Sequence, residues 1–194
     1  MKLYIKNMVS NSCKMAVEAE LSKLGLHAVS VNLGEIDVKG IMPPAEKQKL
    51  SKVLQRHGFE LMDDKKAILM EKIKNTIIEM VHYSNKKMTL NFSDYLSRKL
   101  KLNYTYMANL FSESQGTTIE QFIISHKIER AKELLLYKEL NISEIAQKLH
   151  YCSVAHLSNQ FKKLTGVSPS GFRKQTIRKR SPIEDIGNMH HPAA

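Results

Sequence analysis

The sequence predicts an α+β protein in two parts, a small domain with the element order βαββαβ followed by an all-helical domain. Three observations support this class. Apolar residues alternate in short segments of the first sixty positions, and they recur at helical spacing in the rest of the chain. The helical part also contains one unit twice, at residues 93–122 and 143–172. With 194 residues, 42% of them hydrophobic, the chain has room for both cores.

The first domain, assigned to residues 1–64, begins with the alternating segment LYIKNM, which predicts a strand. The next segment, CKMAVEAELSKLGL, predicts a helix that ends at Gly25. Its apolar residues recur at near-helical spacing: Met15, Val17, Leu21 and Leu24. Two more strands are predicted from AVSVNL and EIDVK, a second helix opens at Pro43-Pro44, and FELM predicts the last strand. This order is the split βαβ arrangement of ferredoxin-like folds.

Residues 64–83 predict one long amphipathic helix. Its apolar stripe comprises Ile68, Leu69, Ile73, Ile77, Met80 and Val81. We expect the joint between the domains near residues 62–66, a helical domain at 65–175, and a basic, flexible tail at 176–194 that includes the RKR segment at 178–180.

The two copies of the internal repeat share helix signals at matching positions. The matched pairs are Ser93 with Ser143, Asp94 with Glu144, Asn109 with Asn159, Phe111 with Phe161, Gly116 with Gly166 and Phe122 with Phe172. In each copy a Ser-acid pair predicts the start of a short helix, and a second helix restarts after Asn103 or Ser153. This is the pattern of a helix-turn-helix unit.

The second helix of the later copy predicts a core face and a free face. Leu157, Phe161 and Leu164 fall on one side and are expected in the core. The free face is small at its N-terminal end and basic further along: Ala155, His156, Ser158, Asn159, Lys162 and Lys163. Small side chains let a helix approach base edges in the DNA major groove, and lysines and helix N-termini can bind phosphates.

Charge points in the same direction. The formal net charge is +11 and the sequence pI is about 9.6, with +3 in residues 1–66 and +8 in residues 67–194. Such a balance indicates an anionic partner, either nucleic acid or a membrane surface. No apolar segment is long enough to span a bilayer, and the N-terminus lacks the apolar block of a signal peptide, so we expect a cytoplasmic protein without membrane association.

The sequence gives little support for a disulfide scaffold or for an enzyme. Cys13 and Cys152 lie far apart, which argues against a disulfide scaffold. The sequence also lacks a Ser/His/Asp set, a paired-carboxylate site, a Gly-rich phosphate loop and a closed metal-ligand cluster. We therefore expect no enzymatic activity and no cofactor.

The segments ISEIAQKL and SVAHLSNQFKKLTGVSPSGFRK resemble the C-terminal signature of AraC-type (AraC/XylS family) transcription regulators. DYLSRKL, YTYMANLFSESQGTTIEQF and KIERAKELL resemble the first helix-turn-helix and the connecting helix of the same family, so the resemblance covers about half of the chain. It implies an all-helical DNA-binding domain with a connecting helix at Thr118–Tyr137. The buried stripe of that helix is Ile119, Phe122, Ile123, Ile128, Ala131, Leu134 and Leu135. Twenty residues span roughly 30 Å, close to the ~34 Å between successive major grooves.

The resemblance also implies site residues and partners. Base-reading positions carried over by motif are Thr105, Tyr106 and Asn109 in the first copy and Ala155, His156 and Asn159 in the second. Phosphate contacts are predicted for Asn103, Ser153, Ser158, Lys162 and Lys163. The partners would be double-stranded DNA and, by family analogy, RNA polymerase. The first copy departs from a typical reader because Ala108 is small and no Arg lies between Asn103 and Gly116. The alternative is that Asn109, Asn159 and His156 are ordinary solvent-facing residues.

The small domain resembles the heavy-metal-associated fold, whose Met-x-Cys-x-x-Cys loop binds soft metals. Here the loop reads Met8-Val9-Ser10-Asn11-Ser12-Cys13, so the first cysteine is replaced by Ser10. Because soft metals such as copper(I) favour two thiolates, we predict no metal site, with soft-metal binding through Cys13 as the alternative function. A redox role for Cys13 near a helix N-terminus, a homodimer contact through this domain, and a purely structural domain also stay open.

Overall fold

The computed structural model describes residues 1–84, 91–174, 180, 182–183 and 186. By its internal contacts the chain divides into two compact units, Met1–Thr76 and Ile77–Ala194. The tail predicted at 176–194 lies outside the described residues except at Arg180, Pro182, Ile183 and Ile186.

The N-terminal unit is built on a four-stranded antiparallel sheet with the strand order β2-β3-β1-β4. Its elements are β1 (Lys2–Lys6), α1 (Asn11–Lys23), β2 (Ala28–Asn32), β3 (Glu35–Val38), α2 (Pro44–Arg56) and β4 (Glu60–Met62). In the register of the central strand, Leu3 of β1 lies opposite Ile36 of β3, and Ile5 lies opposite Leu61 of β4. A small antiparallel sheet ahead of a helical region confirms the predicted mixed class.

Helices α1 and α2 cover this sheet, and their buried residues complete its core. Val17 and Leu21 of α1 are one helical turn apart and both are buried. Met15 was expected beside them but is 69% exposed. The reason is rotational: two residues are about 200° around an α-helix, so Met15 faces away from Val17 and from the sheet. The C-terminal end of α1 is as predicted, with Gly25 in the left-handed region at φ +70°.

Helix α3 (Lys65–Ile78) packs on the N-terminal unit along much of its length. The Glu71 carboxylate accepts a hydrogen bond of 3.0 Å from the backbone N–H of Asn7, in the turn after β1. Further along, Asn75 lies against Gly34 in the β2–β3 turn. These contacts explain why the division between the two units falls at Thr76 and not at the start of α3.

The C-terminal unit is helical throughout its described elements. It contains α4 (Phe92–Leu100), α5 (Tyr104–Gln115), α6 (Ile119–Tyr137), α7 (Ile142–Lys148), α8 (Val154–Thr165) and α9 (Pro169–Lys174). The long helix predicted for residues 64–83 is α3 followed by a π-helical turn at Glu79–Tyr83. The later copy of the repeat packs its core against α6: Ile128, Ala131, Leu134, Leu135, Ile145, Ala146, Leu149, Leu157, Phe161 and Phe172.

The first helix of each repeat begins two residues earlier than predicted. The caps are Asn91 and Asn141, whose side-chain oxygens accept hydrogen bonds of 2.8 and 2.9 Å from the N–H groups of Asp94 and Glu144. Glu144 also accepts from the N–H of Asn141 at 2.6 Å, completing a capping box. The prediction placed the caps at the serines because Ser is itself a common cap residue, but an Asn stands three positions before each acid.

A second correction concerns the core face of α8. Leu157 and Phe161 are buried as predicted, but Leu164 is 48% exposed. Phe172 of α9 packs edge-on against Phe161, with ring centroids 5.5 Å apart. The hydrophobic core ends there, one turn before Leu164, although Leu164 continues the apolar stripe of the helix.

Candidate nucleic-acid interface

Helix α5 exposes the first set of predicted base-reading residues. It begins after Asn103, whose side-chain oxygen accepts a hydrogen bond of 3.3 Å from the N–H of Tyr106. Met107 and Phe111 anchor its inner face in the core. Thr105, Tyr106 and Asn109 are exposed on its outer face.

Helix α8 exposes the second set in the same way. Its cap is Ser153, whose hydroxyl accepts a hydrogen bond of 3.1 Å from the N–H of His156. Ala155, His156 and Asn159 are exposed. Of the predicted phosphate contacts, Asn103, Ser153, Lys162 and Lys163 are exposed, and Ser158 is half-buried.

The two outer helices are equivalent elements. Each has 12 residues, each begins at a side-chain cap, and each ends at a glycine in the left-handed region, Gly116 at φ +64° and Gly166 at φ +79°. Equivalent side chains therefore occupy equivalent turns, and the exposed Asn109 matches the exposed Asn159. The two helices can present the same kind of surface to two stretches of one extended partner.

Helix α6 connects the two helix-turn-helix units of the helical domain. It begins after Thr118, whose hydroxyl accepts a hydrogen bond of 3.1 Å from the N–H of Gln121, and its 19 residues span roughly 28 Å. The predicted stripe is confirmed, since every member is buried: Ile119, Phe122, Ile123, Ile128, Ala131, Leu134 and Leu135. A single uninterrupted helix therefore sets the distance between the two helix-turn-helix units.

The N-terminus of α5 is tied to α6 by a side-chain contact that sequence reasoning missed. The hydroxyl of Tyr104 donates a short hydrogen bond to the carboxylate of Glu120. Burial and this hydrogen bond raise the pKa of Tyr104 well above its usual range, so the phenol stays protonated and remains a donor. The bond holds the first turn of α5 against the first turn of α6.

His156 in the first turn of α8 is also positioned by a residue that the prediction did not include. The ring of Tyr151, in the turn before α8, meets the His156 imidazole edge-on at a centroid distance of 5.2 Å. The Nζ atom of Lys127 on α6 lies 4.9 Å from the centroid of the same Tyr151 ring. Lys127 could have been noticed in the sequence, because it stands between Ile123 and Ala131 in the buried stripe, where a lysine is unusual.

Arg180, the last residue of the RKR segment in the predicted basic tail, contacts α6. Its guanidinium lies 3.5 Å from the buried carboxylate of Glu129 and 3.7 Å from that of Glu133, both on α6. Glu133 also forms an ion pair with Arg130. Arg180 is therefore bound to α6. The other two residues of the segment lie outside the described residues.

In the N-terminal unit, Ser10 in the loop before α1 has a structural role. Ser10 caps α1 by accepting a hydrogen bond of 3.2 Å from the N–H of Cys13, and its hydroxyl lies 3.0 Å from the Cys13 sulfur. Met8 is fully buried in the core. Within the described ranges, no group of three or more His, Cys, Asp and Glu side chains is arranged to hold a metal ion.

None of the helices in the described part of the chain combines the length and the apolar character that crossing a membrane requires.

Comparison with known protein families gives a match to a helix-turn-helix domain over residues 96–175. That range includes α5 to α9 and most of α4.

Similar proteins match over half of the chain or more. The transcriptional regulator YtdP of Bacillus subtilis is 29% identical over 104 residues, which are 53% of this chain and 13% of that protein. The Msm operon regulatory protein of Streptococcus mutans is 30% identical over 101 residues, or 52% of this chain and 36% of that protein. The C-terminal domain of the response regulator AraT from Geobacillus stearothermophilus is 25% identical, with a TM-score of 0.49, and the match covers 66% of this chain and 97% of that structure.

The chain thus spans only 13% and 36% of the length of these two curated relatives. The similarity therefore concerns only the part that they share with this chain. Residues 96–175 of this chain are thus similar to a helix-turn-helix domain that is shared with transcriptional regulators.

Proposed function

We propose that this chain is a sequence-specific, DNA-binding transcription regulator that reads two successive major grooves with α5 and α8. One observation carries the proposal: two equivalent, capped and exposed helices both pack against α6, in a domain whose relatives are named as transcriptional regulators. The basic charge of the second part of the chain, +8 over residues 67–194, suits a polyanionic partner.

Base reading would fall to the exposed residues of the first two turns of each helix. These are Thr105, Tyr106 and Asn109 on α5 and Ala155, His156 and Asn159 on α8. An asparagine can form two hydrogen bonds with adenine in the major groove. Asn109 and Asn159 occupy matching positions, so each would read one base pair of its own half-site. On α5, which lacks an arginine, Tyr106 supplies the largest exposed side chain, at 52% exposure.

Phosphate binding would come from both ends of α8 and from the N-terminus of α5. The hydroxyl of Ser153 and the amide of Asn103 cap their helices and can also contact a phosphate, as can the half-buried Ser158. Lys162 and Lys163 are exposed in the last turn of α8. These contacts would position the domain without reading sequence.

The first experiment is selection from a random DNA library with the full chain at near-physiological salt, followed by footprinting of the selected site. We expect one motif with two protected grooves about one helical turn apart. Enrichment of no sequence, with binding that disappears as salt rises, would contradict sequence-specific reading.

Three variants separate the proposed roles on the selected site. Changing Lys162 and Lys163 to Ala should weaken binding to every sequence. It should also reduce the salt dependence of binding, because about two fewer counterions would be released from the DNA. Asn159→Ala should chiefly relax the preference at one base pair, by about 1 to 3 kcal/mol, and Asn109→Ala should do the same in the other half-site. If Asn159→Ala leaves the sequence profile unchanged, the residue has been assigned wrongly.

For the N-terminal unit, we propose a ferredoxin-like fold related to heavy-metal-associated domains. The element order βαββαβ and the strand order β2-β3-β1-β4 support it. Its proposed role is contact with a second copy of the chain, and RNA polymerase is a further partner by family analogy.

The alternative function is soft-metal binding through Cys13. The loop offers one thiol for this purpose, and its serine caps α1. Stoichiometric, tight copper(I) binding that is lost in Cys13→Ser would favour that alternative.

A further inference from the structure

A cleft of about 420 Å³ lies between the two helix-turn-helix units, entirely within the helical unit. Its walls come from the beginning of α4, the first turn of α5, one face of α6, the turn before α8, and α8 itself. The lining is mainly apolar and aromatic, with contributions from Phe92, Ile123, Ile124, Tyr104, Tyr151 and His156. A volume of this size and a lining of this kind are typical of sites for small organic molecules.

Lys127 lines this cleft and is only 7% exposed. Its Nζ atom lies 3.5 Å from the carbonyl oxygen of His150 and over the rings of Phe92 and Tyr151, at 4.5 and 4.9 Å from their centroids. All of these partners are neutral, and within the described residues no carboxylate forms an ion pair with Lys127. Burial lowers the pKa of Lys127 to about 8, so the amine is still mostly protonated at pH 7. A buried ammonium with neutral partners favours an anion beside it.

Two further polar groups in the lining have unused hydrogen-bonding capacity. The hydroxyl of Tyr151 and the side-chain oxygen of Gln160 are buried, and neither has a hydrogen-bond partner among the described residues. A tyrosine hydroxyl can donate to a carboxylate, and a glutamine amide can either donate or accept. Buried polar groups left unpaired in this way are unusual and are often completed by a ligand or by water.

We propose that this cleft binds a small aromatic monocarboxylate, with the carboxylate paired to Lys127 and the ring packed against Phe92, Ile123 and Ile124. The Tyr151 hydroxyl and the Gln160 side chain supply the remaining hydrogen bonds. Glu120, the acidic residue of the lining, accepts the hydroxyl of Tyr104 and is open to solvent, so its charge is screened at the mouth of the cleft.

The ligand would contact both reading helices, because Tyr104 opens α5 and His156 stands in the first turn of α8. Its binding would therefore change the affinity for DNA, and DNA would change the affinity for the ligand by the same factor. This regulatory part rests on the proposed function, whereas binding of the carboxylate does not.

The test is calorimetric titration of the full chain, without DNA, with naphthylacetate, with its neutral amide naphthylacetamide, and with inorganic phosphate. We expect naphthylacetate to bind with one site per chain, and the amide and phosphate to bind at least about tenfold more weakly. Equal binding of the carboxylate and the amide would overturn the pairing with Lys127. Binding of phosphate as tight as that of naphthylacetate would mean a general anion site, and no binding of naphthylacetate would overturn the proposal.

Variants locate the site. Lys127→Met should weaken naphthylacetate binding at least about tenfold, while Lys99→Met, which removes an exposed lysine of α4, should leave it unchanged. Ile124→Trp, which fills the cleft, should abolish binding while circular dichroism shows the same helix content. If both Lys127→Met and Ile124→Trp are folded and still bind as the parent chain does, the ligand lies elsewhere and the proposal is wrong.

The regulatory part has its own readout. Affinity for the selected DNA site is measured with and without saturating naphthylacetate, and it should change for the parent chain but not for Lys127→Met. If the chain binds naphthylacetate but selects no DNA site, the proposed function fails and the carboxylate site stands.

Discussion

The Nε2 atom of His82 lies 3.2 Å from the Nδ1 atom of His126, and both imidazoles are buried in the helical unit. His82 belongs to the π-helical turn before α4, and His126 to α6. Burial, together with the nearby positive charges of Arg130 and Arg180 and against the opposite effect of Glu133, lowers the pKa of His82 to about 4. His82 is therefore neutral at pH 7.

Acid should destabilise the helical unit through His82. The pKa is about 4 in the folded chain against 6.5 for the ordinary side chain, so between these values the unfolded chain binds the proton first. The contribution of neutral His82 to the free energy of unfolding is fully present above pH 6.5. It is lost as the pH falls toward 4, by up to about 3 kcal/mol. Urea unfolding followed by circular dichroism at a series of pH values measures this slope. His82→Gln should flatten it, and His27→Gln, at an exposed position in the N-terminal unit, should leave it unchanged.

Alkali should have the opposite effect through Lys127. Its folded pKa of about 8 lies below the ordinary 10.5, so between these values the unfolded chain holds the proton more tightly and stability rises with pH. His150 and Cys152, the titratable neighbours in the turn before α8, are present in every variant compared. The gain for the parent chain over Lys127→Met between pH 8 and 10 should be of the order of 2 kcal/mol. Equal pH slopes for the two chains would contradict the buried position of this ammonium.

Gly34→Ala should destabilise the N-terminal unit more than Gly58→Ala. Both glycines lie in the left-handed region, at φ +72° and +77°, so both substitutions cost about 1 kcal/mol of backbone strain. At Gly34 the new methyl group would also collide with the side-chain amide of Asn75, whereas nothing lies within 4 Å at Gly58. We expect a total of roughly 2 to 3 kcal/mol at Gly34, measured by chemical unfolding. Equal losses at the two positions would argue against close packing of α3 on the β2–β3 turn.

Asn141→Ala should destabilise the helical unit by about 1 to 2 kcal/mol. The substitution removes the acceptor for the N–H of Glu144 and breaks the capping box at α7. Ser143→Ala is the matched control, because Ser143 is exposed on the same turn and is not the cap. A larger loss for Ser143→Ala than for Asn141→Ala would restore the assignment made from the sequence.

Much of the fold follows from local sequence patterns. Each strand and helix of the N-terminal unit was predicted in the right order, because alternation and helical spacing differ clearly over five or more residues. Errors arose where local patterns leave a choice. Met15 has only approximately the helical spacing of its apolar neighbours and points away from the sheet. Leu164 has the correct spacing on α8, but it lies beyond the end of the core.

The candidate interface was predictable in part for the same reason. The exposure of Asn109 and Asn159 follows from the buried residues two positions before and after each of them, because two residues are about 200° around an α-helix. The contacts of Lys127 with Tyr151 and of Arg180 with Glu129 join elements that are separate along the chain, and neither pair has a spacing that marks it. The cleft beside Lys127 likewise depends on how two helix-turn-helix units pack on one helix, which no single segment encodes.

The uninterrupted course of α6 has a consequence for how a regulatory site can evolve. In the proposed complex with DNA, a helix of 19 residues cannot lengthen to follow its target, so the two halves of the site would have to keep their spacing. One inserted base pair would displace one half by about 3.4 Å and rotate it by about 34° around the duplex, beyond the reach of a fixed side chain. Promoters under such a protein should drift by point substitution within each half and almost never by insertion or deletion between them.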